Sequence, residues 1–392
     1  MAFQPADRVS RLPAQFFAAL VAEAAARQQA GQRIINLGQG NPVDPTPPAI
    51  VAGLARAAAQ PEYQRYGSFR GLLALKEAAS RWWHRRYGVV LDPAREVAVV
   101  IGVKVALAEL SLLAANEGDT VLVPDPGYPD YDAGIALAGA RRVTYPLTRQ
   151  AGYQPDFAHM PDARLLFLNY PHNPTGALAT AETLRGAAEW TRRTGSLLAH
   201  DLAYGDIVFD GGRAQSLLAE PGARDAAVEL LSLSKTFHMA GWRIGLVAGG
   251  AHVIAAFEGL QDHLHCSQFG AVQAAAALAL DQGDAWAASA AALYQRRRDL
   301  VVDALRGAGI PVDKPRAGIF VWLPVPGGGD GTRFAQFLLD RAAVLVAPGI
   351  GFGPEGTRFV RLSLTTSDTE LTEAVDRITS VLAAWRGEPD AR

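Results

Sequence analysis

Ser232-Leu-Ser-Lys-Thr-Phe-His-Met-Ala-Gly-Trp-Arg243 is the most informative stretch of this 392-residue chain. The apolar run Val228–Leu233 is typical of a strand, so Lys235 follows the end of that strand. Ligands of open α/β sheets collect at this edge. An amine beside the hydroxyls of Ser232 and Ser234, with an arginine eight residues on, suits an aldehyde cofactor that carries a phosphate. The alternative is a lysine on a solvated loop.

Lysine is rare in this chain, which favours a chemical role for Lys235. Of the 37 basic side chains only four are lysines, namely Lys76, Lys104, Lys235 and Lys314. Arginine therefore serves most positions that need only a positive charge. A guanidinium stays protonated and cannot form a Schiff base, whereas an amine can.

Composition is that of a two-domain globular enzyme. A chain of 392 residues exceeds what one core usually organises, and 49% hydrophobic with 19% charged residues is ordinary for a folded protein. A net charge of -2 without charge blocks predicts neither a nucleic-acid nor an anionic-membrane partner. The single Cys266, the absence of a signal-peptide pattern and the lack of a membrane-spanning apolar run predict a cytoplasmic protein.

Apolar runs alternate with helical stretches between Glu96 and Gly250. Several runs are apolar on both faces, which predicts a mostly parallel sheet covered by helices on each side. The predicted strands are Val97–Ile101, Thr120–Val123, Arg141–Tyr145, Arg164–Asn169, Ser196–His200, Val228–Leu233 and Arg243–Ala248. Ala-rich helices then extend to Leu305, and a smaller α+β unit follows, with predicted strands at Gly318–Pro324, Val344–Ala347 and Phe359–Leu364.

Further polar residues follow these strands. Asp201 needs a cationic partner if buried, and a protonated pyridine nitrogen would serve; Tyr204 lies three residues on. The turn around Asn173 either only connects strand to helix or aims the amide at a cofactor. Tyr128 follows another strand in a similar turn and offers a ring for stacking. Capping and turn formation are the alternatives for these residues.

Gly102-Val103-Lys104 begins a helix directly after a strand. The free backbone N–H groups and the helix dipole of such a segment bind phosphate. Many strand-to-helix turns share this spacing.

Together these motifs resemble the class I aminotransferases of pyridoxal-5'-phosphate (PLP) fold type I, over nearly the whole chain. The combination of Asn-Pro-Thr-Gly, Asp-x-x-Tyr and Ser-x-Ser-Lys with an arginine eight residues later is specific. The resemblance implies an α/β fold with a mostly parallel seven-stranded sheet in a large domain and a smaller α+β domain. Its expected ranges are 1–44 for an N-terminal arm and part of the small domain, 45–285 for the large domain and 286–392 for the small C-terminal domain.

The resemblance also implies roles for individual residues. Lys235 corresponds to the Schiff-base lysine that moves a proton during catalysis, and Asp201 and Tyr204 complete the catalytic set. The implied cofactor-binding residues are Gly102, Val103, Lys104, Tyr128, Asn173, Asp201, Tyr204, Ser232, Ser234, Lys235 and Arg243, with Tyr66 contributed by the neighbouring subunit of a homodimer. The implied substrate-binding residues are Gly40, Asn173 and Arg361, where Arg361 grips the α-carboxylate. Val103 replaces the Ser or Thr common in the family, so one hydroxyl to the phosphate is missing.

The predicted function is amino transfer between an L-amino acid and a 2-oxo acid. Leu12-Pro-Ala-Gln-Phe-Phe, Asn36-Leu-Gly-Gln-Gly-Asn-Pro and Tyr66-Gly-Ser-Phe-Arg-Gly, with Val123-Pro-Asp-Pro-Gly-Tyr-Pro-Asp-Tyr, also resemble the bacterial aminotransferases of methionine salvage, which act on 4-methylthio-2-oxobutanoate. Aspartate, aromatic and diaminopimelate aminotransferases share these motifs. A PLP-dependent C–S β-lyase is the first alternative, and a non-catalytic PLP-binding regulator is a remote one. The histidines lack the spacing of metal ligands, so no metal site is predicted.

Overall fold

Twelve strands form three sheets in the computed structural model, which describes residues 3–385. The outermost parts of the expected domain ranges, residues 1–2 and 386–392, lie outside the described residues. In chain order the strands are β1 Ile35–Asn36, β2 Val97–Val100, β3 Thr120–Asp125, β4 Arg141–Pro146, β5 Leu165–Asn169, β6 Leu197–Asp201, β7 Ala227–Ser232, β8 Gly245–Gly249, β9 Phe320–Pro324, β10 Val344–Leu345, β11 Ala347–Pro348 and β12 Phe359–Ser363.

Strands β2 to β8 form one sheet in the order β2-β8-β7-β6-β5-β3-β4. Among these described strands β8 runs opposite to the other six, so the predicted mostly parallel seven-stranded sheet is confirmed. The last of the seven starts at Gly245 and not, as predicted, at Arg243. Ala240–Trp242 form a 3-10 turn, and Arg243 has a φ of 55°, which is incompatible with a strand.

Helices cover both faces of this sheet. Along β5, Leu166 packs into one apolar cluster with Trp82 and Trp83, whereas Phe167 packs into another with Leu107. Both faces are thus buried, which explains the continuous apolar runs. The α-helices of the described chain are α1 Asp7–Ser10, α2 Phe16–Gln29, α3 Pro48–Ala58, α4 Leu73–Tyr87, α5 Val103–Ala114, α6 Tyr131–Ala138, α7 Ala181–Thr194, α8 Leu233–Thr236, α9 Ala251–Leu264, α10 Gly270–Gln282, α11 Asp284–Gly307, α12 Gly331–Ala342 and α13 Asp368–Val381. Within residues 3–385 no helix combines the length and the apolar character needed to cross a bilayer.

A second apolar core lies in the C-terminal part of the chain. Strands β11, β12 and β9 form an antiparallel sheet, and β1 pairs in parallel with β10. The predicted single strand Val344–Ala347 was wrong in one respect. It is divided into β10 and β11, because the chain leaves one sheet and enters another at Val346. The pairing of β1 joins the N-terminal region to this unit, while the expected domain boundaries stay a prediction.

The parallel strands bring their carboxyl ends to one edge of the sheet. Asn169 ends β5, Asp201 ends β6 and Ser232 ends β7, so three adjacent strands deliver polar groups side by side. Lys235 follows within α8, one turn beyond the end of β7. This edge is the position that strand topology assigns to a ligand site.

The buried carboxylate of Glu229 connects several elements near the middle of the large sheet. Glu229 of β7 has no solvent exposure and lies directly across from His200 of β6. Its oxygens accept hydrogen bonds from Trp83 Nε1 at 3.0 Å, Ser216 Oγ at 2.6 Å and the Leu217 amide at 2.6 Å, and contact His200 Nδ1 at 2.9 Å. These contacts fix β6 at the residue preceding Asp201.

We expect Glu229→Ala to lower the Tm by about 5 °C or more, because four buried groups lose their common partner. Differential scanning calorimetry on the purified protein would measure the change. Asp281→Ala is the matched control, since Asp281 forms an exposed pair with Arg81 at 2.8 Å and exposed pairs contribute about 1 kcal/mol or less. Equal shifts in the two variants would contradict the structural role of Glu229.

Candidate active site

A cavity of about 310 Å³ opens at the carboxyl edge of the sheet. The structure brings together twelve of the predicted site residues around it: Gly40, Val103, Lys104, Tyr128, Asn173, Asp201, Tyr204, Ser232, Ser234, Lys235, Arg243 and Arg361. Eight further residues line it that the sequence analysis did not select: Phe17, Gln39, Asn41, Asp130, Asn169, Ala203, Ala240 and Phe320.

The amine of Lys235 points across the cavity and donates to the Gly40 carbonyl oxygen at 2.6 Å. Burial, together with the positive charges of Arg361 and Arg243, lowers the pKa of Lys235 from 10.5 to about 8. An amine with this pKa is partly neutral near physiological pH, which is the form that attacks an aldehyde.

Asp201 faces the same cavity from the end of β6. Burial raises the pKa of this carboxyl to about 6, although the Ala203 amide, which donates to Oδ1 at 3.1 Å, acts in the opposite direction. The hydroxyl of Tyr131 donates to Oδ2 at 3.4 Å. A buried carboxylate with so few donors is best stabilised by a cationic group inside the cavity.

Two asparagines orient one another beside Asp201. The Asn169 amide donates to the Asp201 carbonyl oxygen at 2.8 Å, and its own Oδ1 accepts from the Asn173 backbone N–H at 2.8 Å. Asn173 Oδ1 in turn accepts from Arg361 at 3.0 Å. Because its oxygen is engaged in this way, Asn173 presents its N–H₂ group as a donor to a ligand.

The start of α5 and Arg243 form a cradle for an anion. Gly102 precedes the helix with a φ of 81°, and no side chain caps the free N–H groups of the first turn. A Cβ at Gly102 would lie 2.4 Å from an Arg243 guanidinium nitrogen, so only glycine lets that cation approach the helix start. Gly102 does not itself line the cavity, but its lack of a side chain leaves room for Arg243, which does. Ser232 and Ser234 line the same cavity.

Arg361 is buried without an acidic partner among residues 3–385. It is 1% exposed; its nitrogens donate to Asn173 Oδ1 and, at 2.9 Å, to the Gly38 carbonyl oxygen, while Nε has no partner. Three aromatic rings surround the guanidinium, with centroids 3.8 Å (Phe320), 4.6 Å (Phe352) and 5.1 Å (Phe17) from its carbon. Burial lowers the pKa of Arg361 to about 9. This cation is a prepared site for a carboxylate.

Tyr66 is the one predicted residue far from this arrangement. It is 89% exposed and does not line the cavity, so its contact with a neighbouring subunit stays a prediction.

Tyr131 and Phe17 were missed because their roles depend on packing. Tyr131 is buried and contacts Asp201 through its hydroxyl, and Phe17 reaches the site from the N-terminal helix α2. The Asp130 carboxylate, next to the selected Tyr128 turn, was within reach of sequence reasoning.

Residues 32–378 match the sequence model of the family described as aminotransferase class I and II. The chain belongs to this family. It is 44% identical over 383 residues to L-glutamine–4-(methylsulfanyl)-2-oxobutanoate aminotransferase of Bacillus subtilis, covering 96% of each chain. It is 40% identical to LL-diaminopimelate aminotransferase of Moorella thermoacetica, covering 97% of this chain and 98% of that one. The substrate-bound structure of BacF from Bacillus subtilis superposes with a TM-score of 0.93 at 39% identity, covering 97% and 98% of the two chains.

Family membership establishes a PLP-dependent aminotransferase of fold type I. The cavity fits that cofactor on its own chemistry. It offers an amine for the aldehyde, an anion cradle for the phosphate and a buried carboxylate for the ring nitrogen. Among the described residues no group of three or more His, Cys, Asp or Glu is arranged to hold a metal ion.

The pKa of Lys235 predicts how the cofactor-free protein captures PLP. The neutral amine reacts, and with a pKa of about 8 it makes up about a tenth of the population at pH 7 and about nine tenths at pH 9. We expect the capture rate, followed by near-visible absorbance in stopped flow, to rise with pH and to level off above a midpoint near pH 8. Arg361→Ala should move this midpoint upward, whereas Arg361→Lys, which keeps the charge, should leave it nearly unchanged. A wild-type midpoint near that of free lysine would contradict the electrostatic account.

Proposed function

We propose that this aminotransferase makes methionine from 4-methylsulfanyl-2-oxobutanoate, with an L-amino acid as the amino donor. The observation that carries amino transfer is Arg361, which has no acidic partner among residues 3–385 and lies in one cavity with the Lys235 amine. A 2-oxo acid or an L-amino acid supplies the carboxylate that Arg361 lacks. That contact would hold the reacting carbon within reach of Lys235.

We assign the cofactor contacts as follows. Lys235 would hold the aldehyde carbon, and Asp201 would keep the ring nitrogen protonated. Asn173 and Tyr204 would donate to the ring oxygen, and Tyr128 would stack on the ring. The start of α5, Arg243 and the hydroxyls of Ser232 and Ser234 would hold the phosphate. Bound there, PLP supplies stabilisation of the carbanion formed at the substrate Cα.

The protein's own contribution is positioning and proton transfer. The Lys235 amine would act as the base that takes the proton from the substrate Cα and as the acid that gives it back. The carbonyl oxygen of Gly40, 2.6 Å from Nζ, fixes the direction of that amine. Phe17 and Phe320 flank Arg361 with apolar rings, which exclude water from the carboxylate contact and strengthen it.

The preference for a methylsulfanyl substrate is supported by the 44% identity to the Bacillus subtilis enzyme of that name and by the apolar wall next to Arg361. LL-Diaminopimelate aminotransferases are related at up to 40% identity, so their substrate belongs in the same test.

The test is an absorbance titration of the PLP-loaded protein. We expect methionine to bleach the near-visible band and 4-methylsulfanyl-2-oxobutanoate to restore it, with LL-diaminopimelate much less effective. Arg361→Ala should retain the band but need about 100-fold more amino acid, because a charge-assisted fork is lost. Pyruvate and ammonia released from cystathionine would instead indicate a C–S lyase, and preferential bleaching by LL-diaminopimelate would overturn the methionine assignment.

We further propose a homodimer with shared sites, in which Tyr66 contacts the phosphate bound to the partner. Its 89% exposure leaves it free to do so. If Tyr66→Ala and Lys235→Ala are each inactive, refolding an equal mixture should restore about a quarter of wild-type activity, because half of the dimers are hybrids and each hybrid has one intact site. No recovery in a mixture that does form dimers would place Tyr66 outside the neighbouring site.

A further inference from the structure

A second cavity, of about 240 Å³, lies between the end of α4 and the loop that follows β6. Among the described residues, none lines both this cavity and the one that holds Lys235. Its lining carries three arginines, Arg85, Arg86 and Arg213, and one acid, Asp206. Guanidinium groups that converge on one space are suited to bind an anion with several oxygens.

The neighbouring acids neutralise these three cations only in part. Arg85 and Arg86 share Asp284, at 3.6 and 3.2 Å, and the side chain of this acid is more than half exposed. Arg86 Nε lies 3.2 Å from Asp206 Oδ1, but this buried nitrogen has no hydrogen-bond partner in the described part of the chain. Arg213 is exposed, and no acid within that part of the chain forms an ion pair with it. Guanidinium donors therefore remain for an incoming anion.

Tyr87 adds a donor without charge to the same lining. Burial, together with the negative charges of Asp206 and Glu229, raises the pKa of Tyr87 well above its usual value, so the phenol keeps its proton. A Cβ at Gly205 would lie 2.8 Å from the Tyr87 hydroxyl oxygen, so the glycine leaves room beside this group. The hydroxyl can then donate to an anion that enters the cavity.

Asp206 restricts which anion the cavity suits. Its side chain is 4% exposed and accepts a hydrogen bond from Thr236, the residue after Lys235. Burial raises the pKa of Asp206 to about 6, although the charge of Arg86 acts in the opposite direction, so the carboxyl is mostly ionised at pH 7.5. An ionised carboxylate only accepts hydrogen bonds. A bound anion therefore needs a proton of its own to contact Asp206 favourably.

We propose that this second cavity binds inorganic phosphate. In hydrogenphosphate the P–OH group donates to Asp206, while the other oxygens accept from the three guanidinium groups and from the Tyr87 hydroxyl. Sulfate has a similar shape and the same double charge but no proton, so the carboxylate repels it. A phosphate monoester loses its second proton near pH 6 and resembles sulfate at pH 7.5. The carboxylate thus selects the free ion over phosphorylated metabolites.

The test is titration calorimetry at pH 7.5 with orthophosphate, sulfate and glycerol phosphate on PLP-loaded Arg361→Ala protein. The cofactor would occupy the anion cradle of the active cavity, and the substitution removes the carboxylate site, so binding there does not interfere. We expect orthophosphate to bind about tenfold more tightly than the other two anions, because each of them lacks one charge-assisted hydrogen bond. Absence of orthophosphate binding, or equal affinity for all three anions, would overturn the inference.

Asp206→Asn in the same background tests the selecting group. Asparagine offers an N–H₂ donor where the carboxylate only accepts, so sulfate should bind more tightly and the preference for orthophosphate should disappear. A preference that survives this substitution would show that Asp206 does not select the ion.

Arg213→Ala tests the cavity through an exposed residue, and we expect it to weaken orthophosphate binding about tenfold. Arg81→Ala is the matched control, because Arg81 lies on α4, pairs with Asp281 on the surface and lines neither cavity. Its affinity for orthophosphate should equal that of the parent protein. Equal losses in the two variants would reduce the effect to net charge and refute the site.

Discussion

A positive charge that is buried with no counter-ion in the described part of the chain, residues 3–385, organises this structure. The Arg361 side chain projects from β12. Its guanidinium donates to the Gly38 carbonyl oxygen and to Asn173 Oδ1, and it lies against the rings of Phe17 and Phe320. Carbonyl dipoles and ring faces stabilise a guanidinium only in part. The remaining cost of burial is offset when a carboxylate enters, so distant segments are held in a geometry that a ligand completes.

The charged residues of the site also affect one another's pKa. Arg361 and Arg243 face the cavity from two sides, and both lower the pKa of the amine between them. The two cations that we propose bind the anionic groups of cofactor and substrate therefore also favour the neutral form of Lys235. Asp201 ends β6, and the residue before it, His200, contacts the buried Glu229.

The large sheet and the strand-end residues could be predicted from the sequence because each depends on local pattern. Apolar runs mark buried parallel strands, and polar residues immediately after them must gather at one edge, as Asp201 and Lys235 do. Phe17, Tyr131 and Phe352 could not be predicted, since their positions depend on how remote helices and loops pack. The division of Val344–Ala347 into β10 and β11 was equally hidden, because a continuous β-type run does not reveal that its two halves pair with different sheets.

The pairing of β1 with β10 has a consequence for how the protein is made. Ile35 of β1 pairs in register with Val344 of β10, so a strand that is synthesised early cannot pair until a strand near the other end of the chain has been synthesised. Contacts of such long sequence separation form late in folding, since loop closure must precede them. The large sheet, by contrast, has its strands between Val97 and Gly249 and can assemble earlier. Gly38 and Gly40, whose carbonyl oxygens accept from Arg361 and Lys235, lie within four residues of the end of β1. In a nascent chain the sheet edge that carries Lys235 would therefore form before these contacts complete the cavity.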